Sequence, residues 1–250
     1  MINGKQIRKR RLLSEKGSIF LALDHGFTMG PIKGIENLNH NVSELCRANI
    51  DSVILNYGAL KNLEKNSLGN CRVPIIVHLT GNEITGGGVD KIVLYNPIDA
   101  IKMGADAVSV QINFGTDTEQ EQIEQVANVI SQADSLGLPV LLMMYDKSNV
   151  KDYATKLKQM VRLGIEIGAD ILKIDVRNDS GLLKQICSIS PIPIMVAGGS
   201  LEDNSKFVEK INSYLNNGAA GISVGRNIFQ SDKPLEYLNE VCEIIHGKDK

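Results

Sequence analysis

The chain has no apolar run long enough to cross a bilayer. Its longest, residues 138–145, falls far short of the roughly 20 residues a membrane helix needs. Charge of one sign is also missing. With 27 basic and 29 acidic side chains and a net charge of -2, the chain lacks the electrostatic footprint of a protein that binds nucleic acid or an anionic membrane. Cysteine is sparse, and Cys46, Cys71, Cys187 and Cys242 are too widely spaced to form a CxxC pair. Neither structural zinc nor a redox dithiol is indicated, and reduced thiols in a cytoplasmic protein are expected. The N-terminus, MINGKQIRKRRLL, is basic but has no apolar segment behind it, so it does not read as a secretory signal. No linker or low-complexity stretch interrupts residues 1–250, which are expected to form one domain.

What is present is a repeat. Hydrophobic residues make up 43% and charged residues 22% of the 250, enough for a sizeable core. Four segments, 48–56, 104–111, 168–175 and 218–225, each run from a small-residue turn into a short β-branched stretch. In the last three a glycine supplies the helix stop before the strand. A second set interleaves at 17–24, 73–79, 138–144 and 192–197, and in three of these a proline opens the strand, where its missing N–H does no harm. All eight are nearly continuous in apolar residues, as strands buried on both faces should be. Apolar residues three and four apart predict helices between them, most clearly at 35–46, 119–133, 153–167, 204–215 and 235–245. This alternation predicts an α/β fold, a (β/α)8 TIM barrel, in preference to an open doubly wound sheet. The segment before Ser18 is expected to be a short helix plugging the barrel bottom. Residues 82–95, with Gly86, Gly87 and Gly88, are expected to be an extra loop after the third strand.

Active sites of such barrels lie at the C-terminal ends of the strands. The seventh and eighth strands end in Gly198-Gly199-Ser200 and Gly225-Arg226-Asn227, and each turn is expected to open a helix. Glycines let backbone amides approach an anion, and Arg226 adds a charge-assisted contact, so a phosphate site is expected there. Lys173 lies in an otherwise apolar strand. It reads either as a lysine paired with Asp170, Asp175 or another acid, or as a desolvated amine able to form a Schiff base with a carbonyl. Asp24 ends the first strand, where a carboxylate can orient the lysine or move protons, or can merely cap and pair. Tyr145 ends the fifth, as a proton relay or as an amphipathic rim residue. Asp24, His25 and His78 could be three ligands of a metal, yet the chain has only 4 histidines and no HxH cluster, so no metal is expected.

Several motifs carry a resemblance over nearly the whole chain. They are LDHGFTMGPIKGI at 23–35, GADAVSVQINFG at 104–115, LLMMY at 141–145, GADILK at 168–173, VAGG at 196–199 and GISVGRNIFQ at 221–230. With these the sequence resembles the archaeal-type class I fructose-bisphosphate aldolases and their sister branch, 2-amino-3,7-dideoxy-D-threo-hept-6-ulosonate synthase. The resemblance implies that Lys173 is the Schiff-base lysine, Tyr145 the acid/base, and Asp24 the aspartate beside the lysine. It also implies that Gly198, Gly199, Gly225 and Arg226 hold the substrate phosphate. The implied enzyme uses no metal or cofactor beyond a covalent Schiff base on Lys173. It acts on a phosphorylated ketose or dihydroxyacetone phosphate and an aldehyde, and is a homo-oligomer, often a decamer. Asp146-Lys147-Ser148 stands where Pro-Arg-Gly is common in the family, and Gln111 where the synthase branch often has His. These departures leave aldolase or transaldolase action on a ketose phosphate beside condensation with aspartate semialdehyde. His25, His78, Asp146, Lys147 and Arg177 are expected around the rest of the substrate pocket. A metal-dependent aldolase or epimerase and a sugar-phosphate sensor are the rival readings.

Overall fold

The computed structural model describes residues 3–64, 67, 73–82 and 88–247. In chain order the elements are α1 (Gly4–Leu12), β1 (Ser18–Ala22), α2 (Gly26–Met29), α3 (Leu38–Leu45), β2 (Ser52–Asn56), α4 (Tyr57–Lys61), β3 (Ile75–His78), β4 (Thr80–Asn82), β5 (Lys91–Val93) and α5 (Pro97–Lys102). They continue with β6 (Ala107–Phe114), α6 (Glu119–Ser135), β7 (Val140–Asp146), α7 (Tyr153–Glu166), β8 (Ile171–Ile174), α8 (Ser180–Ile189), β9 (Ile194–Ala197), α9 (Asn204–Asn216), β10 (Gly221–Val224), α10 (Arg226–Phe229) and α11 (Pro234–His246). Strands β1, β2, β3, β6, β7, β8, β9 and β10 close into a parallel barrel. Closure is made by the β1–β10 ladder, with Ser18 opposite Gly221 and Leu21 opposite Val224, which an open sheet would lack. No helix among the described residues is long and apolar enough to cross a membrane.

The apolar runs are continuous because each strand is buried on both faces, and the two faces feed different cores. Ile19, Leu21, Val53, Leu172 and Ile174 point outward into the layer under the helices. Phe20, Ile54, Ile76, Leu141, Met143, Ile171 and Met195 point inward and fill the barrel. Strand side chains alternate, so Lys173, two residues beyond Ile171, also points inward. It lies in register with Met143 on one side and Met195 on the other. Gly168 and Gly218 follow α7 and α9 with φ of 93° each, a left-handed turn that stops the helix and redirects the chain into the next strand.

Helix α1 is the plug that the sequence predicts. Asn3 caps it, its side chain accepting from the Gln6 amide at 3.0 Å. Leu12 at its far end is fully buried among the inward-facing residues. Lys5 bridges Asp134 and Asp170, and Arg8 donates to the Gly137 carbonyl at 2.9 Å.

Two expectations need correction. Residues 82–95 are more than a loop: β4 and β5 pair antiparallel, with Thr80 opposite Val93 and Asn82 opposite Lys91. Strands of three residues are too short to leave a periodic signal. Gly86 and Gly87, like Cys71, lie outside the described residues. The turn at Gly198-Gly199-Ser200 does not open a helix. Helix α9 starts at Asn204, because Asp203 is the cap and accepts from the Ser205 amide at 3.0 Å.

If α1 seals the barrel floor, Leu12→Ala leaves a cavity there. Denaturant unfolding should show a loss of about 2–5 kcal/mol with an unchanged slope. An unshifted midpoint would mean that α1 is an appendage.

Candidate active site

Parallel closure brings every strand's C-terminal end to one rim. Among the cavities that open there, two, of about 230 Å³ and about 310 Å³, adjoin. Asp24, Lys91, Gln111 and Asn113 line the first; Gly198, Gly199, Ser200 and Gly225 line the second. His25, Tyr145, Lys147, Lys173 and Arg226 line both, so Lys173 stands on the wall the two lobes share.

Lys173 is only 5% exposed. Of the acids expected as its partner, neither Asp170 nor Asp175 takes that role. Asp170 pairs with Lys5 at 2.6 Å at the opposite end of the strand, and Asp175 accepts from the Arg177 amide at 2.8 Å. The acid nearest in effect is Asp24, which leaves β1 with its backbone carbonyl accepting from Asn56 Nδ2 at 2.7 Å. Burial alone would push the Asp24 carboxyl up. Attraction to His78, His25 and Lys173 outweighs that and holds it below the usual carboxylate value.

The two histidines differ. His25 Nδ1 lies 3.5 Å from Asp24 Oδ1, and the ring packs edge-on against Phe229 at 5.3 Å. Burial lowers its pKa, Asp24 opposes this, and Lys173 and Arg226 add to the lowering. His78 is held at both nitrogens, Nδ1 by Ser109 Oγ and Nε2 by Thr80 Oγ1, each at 2.9 Å. Burial pushes it down to about 4, so it is a neutral imidazole at pH 7. Both of its ring nitrogens are thus already engaged. Among the described residues, no group of three or more His, Cys, Asp or Glu is placed to hold a metal ion.

On the opposite wall the glycine turns are organised by Asn227, an almost fully buried residue. Its Nδ2 donates to the carbonyls of Gly198 at 2.9 Å and Ser200 at 3.0 Å, while Arg226 Nη2 donates to the Gly199 carbonyl at 3.1 Å. The Gly198 amide is used in the ladder to Ser223 at 2.9 Å. The turn's carbonyls are therefore drawn onto side chains, which leaves the cavity wall to amides and the guanidinium. Gly225 must be glycine: a Cβ there would meet His25 Cε1 at 2.4 Å and the Ala22 carbonyl at 2.7 Å.

Not every candidate faces the cavities. Tyr145 does, and Lys147 lies 5.7 Å from the centre of its ring. Asp146 and Arg177 instead meet each other at 3.3 Å, with Arg177 stacked 3.5 Å over the Tyr153 ring. They brace the loops after β7 and β8. Arg177 and Asn178 both take left-handed backbone there, at φ 47° and 65°. Lys91 is a residue that sequence reasoning missed. It is 6% exposed on β5, and burial pushes its pKa down to about 8. A single lysine beside a glycine-rich stretch gives no signal of burial.

A family model described as DeoC/LacD family aldolase matches residues 18–231. The 2-amino-3,7-dideoxy-D-threo-hept-6-ulosonate synthase 1 of Archaeoglobus fulgidus is 34% identical over 245 residues, covering 98% of this chain and 92% of that protein. The 2-amino-4,5-dihydroxy-6-oxo-7-(phosphonooxy)heptanoate synthase of Streptomyces griseus is 30% identical over 231 residues, covering 90% and 83%. Among solved structures, an archaeal fructose 1,6-bisphosphate aldolase superposes with a TM-score of 0.86 at 25% identity, covering 98% of this chain and 100% of its own. Another archaeal fructose-1,6-bisphosphate aldolase structure, with TM-score 0.84, 25% identity and 98% and 100% coverage, has its catalytic lysine covalently bound to the carbinolamine intermediate of the substrate.

His78 sets a pH dependence. Unfolded, it protonates near 6.5; folded, only near 4. The unfolded chain therefore binds the extra proton. Stability is full above pH 6.5 and is lost as pH falls towards about 4. His78→Gln, which keeps a hydrogen-bonding amide between Ser109 and Thr80, should shrink the fall in Tm between pH 7 and pH 4 by several degrees. Parallel Tm curves for the two proteins would overturn this assignment.

Proposed function

The chain is a class I aldolase of the DeoC/LacD family, and on that premise we propose that Lys173 is the amine on which it makes and breaks carbon–carbon bonds. The observation that carries this reading is a lysine on the inner face of the barrel, 5% exposed, on the wall shared by two cavities. Its Nζ attacks the ketone carbon of a phosphorylated ketose. Loss of water from the carbinolamine leaves an iminium, and this is the electron sink that lets the C3–C4 bond break through an enamine. In the reverse direction the enamine of dihydroxyacetone phosphate adds to an aldehyde. The route calls for no metal or other cofactor.

The remaining groups have separate tasks. Tyr145, beside Lys173 on both cavity walls, gives and takes the protons of carbinolamine dehydration and of the C4 oxygen. Asp24, kept anionic by its neighbours, stabilises the iminium and positions the amine. The amides of Gly199 and Gly225, the Gly198 turn and the Arg226 guanidinium take the donor phosphate. Binding energy spent there, away from the reacting bond, holds the carbonyl against the amine. A second reading, addition of the same enamine to aspartate semialdehyde, gives a 2-amino-4,5-dihydroxy-6-oxo-7-(phosphonooxy)heptanoate and is favoured by the 30% identity to the Streptomyces synthase named for that product.

Borohydride added with dihydroxyacetone phosphate should leave a secondary amine on Lys173, located by peptide mass spectrometry. An active enzyme with Lys173 unmodified would overturn the mechanism. Lys173→Met should abolish turnover while the unfolding transition stays cooperative. Tyr145→Phe should lower kcat by about 10²–10⁴-fold. Activity should persist in EDTA; loss restored by a divalent ion would favour a metal-dependent aldolase. Arg226→Gln should raise KM for a phosphorylated donor more than it lowers kcat, and an unchanged KM would place the phosphate elsewhere.

A further inference from the structure

The lobe of about 230 Å³ holds a lysine that the mechanism above does not use. Lys91 is carried by β5, outside the barrel, yet it is 6% exposed and lines the same cavity as Lys173 and Tyr145. Among the described residues its ammonium makes one hydrogen bond, to the uncharged Asn82 Oδ1 at 3.0 Å, and has no carboxylate within ion-pair distance. That oxygen already accepts from Thr28 Oγ1 at 2.7 Å. A buried cation with only a shared amide oxygen as partner is costly, and the cost falls when an anion arrives.

Its surroundings point the same way. Of the charged groups among the described residues lining this lobe, Lys91, Lys147, Lys173 and Arg226 are basic and Asp24 alone is a carboxylate. Burial and repulsion from Lys147 both weaken the hold of Lys91 on its proton, against attraction to Asp24, so a bound anion would strengthen it. The strand that carries Lys91 is braced. Asn113 Nδ2 donates to the Val89 carbonyl, Thr118 Oγ1 to Asp90 Oδ1 at 2.7 Å, and the Val93 amide to Gln125 Oε1 at 2.8 Å. Residues on both sides of Lys91 are thereby tied to β6 and α6, so its ammonium is pre-positioned. The donor phosphate belongs to the glycine-lined lobe on the other side of Lys173, which leaves this lobe for the second substrate.

We propose that Lys91, with Lys147, forms the subsite for an anionic group on the acceptor aldehyde, and that Lys91 sets a preference for acceptors ending in a phosphate or carboxylate over neutral ones. The inference rests on the Schiff-base reading above, because that reading assigns the two lobes to donor and acceptor. Lys91 is a specificity residue in this scheme, and the enamine and the proton transfers stay with Lys173 and Tyr145.

The test uses the full chain with dihydroxyacetone phosphate as donor and three acceptors: glyceraldehyde 3-phosphate, succinic semialdehyde and neutral glyceraldehyde. In Lys91→Met the ratio of kcat/KM for the preferred anionic acceptor to that for glyceraldehyde should fall about 10- to 100-fold, mainly through KM. Lys91→Arg should recover part of it. Whichever anionic acceptor loses more identifies the group bound. An unchanged ratio, or a parallel loss on all three acceptors, would overturn the proposal and make Lys91 a structural residue of the hairpin. Should Lys91→Met fail to fold, Lys91→Gln reports the same ratio. Borohydride trapping of the donor on Lys173 separates the two readings. Trapping in the variant with an unchanged ratio sinks only the acceptor subsite, whereas no trapping in the unaltered protein sinks the Schiff-base mechanism itself.

Discussion

The ladder between β1 and β10 is the interaction on which the rest depends. Closing the sheet divides each strand's side chains into those under the helices and those inside the barrel. It also places all eight C-terminal ends on one rim. Without closure Lys173 would lie on one face of an open sheet, and the turns after β9 and β10 would not stand beside the loop after β1. Closure also forces a lysine among inward-facing residues such as Met143 and Met195, within electrostatic reach of the Asp24 carboxylate.

The rim is electrostatically lopsided, and hydrogen bonds keep it so. His78 has the chance to add a positive charge, yet burial, with repulsion from Lys91 and Lys173, keeps it neutral at pH 7. Asp146 has the chance to cancel one, but it is consumed by Arg177 outside the cavity wall. Among the described residues, what faces the cavities is three lysines and an arginine against Asp24 and Asp175, a basic surplus suited to substrates that are anionic at both ends.

The fold and the centre of the candidate site are legible in the sequence because both break or keep a pattern. Double-sided burial leaves uninterrupted apolar runs, and a lysine inside one of them stands out. Asp24 and Tyr145 are legible as polar residues ending such runs, and Gly225-Arg226 as a turn beside a charge. Other features depend on pairings that spacing does not encode. The β4–β5 pair is three residues long on each side, so Lys91 looks like an exposed residue. The role of Asn227 depends on which carbonyls fold back onto it. Asp146 and Arg177 sit next to rim residues in sequence, and only the folded chain brings their charges together. The helix expected at Gly198 begins instead where Asp203 offers a better cap.

The β4–β5 hairpin is bound to β6 and α6 by side-chain hydrogen bonds but contributes no strand to the barrel. Apart from Thr80, which holds His78, its residues can therefore be exchanged in evolution without disturbing the ladder or the amine. A lineage could retain one bond-making centre and diverge in the partners it joins, by rewriting a short ornament beside the mouth. The same independence makes that segment the natural place to graft a new selectivity onto an old catalyst.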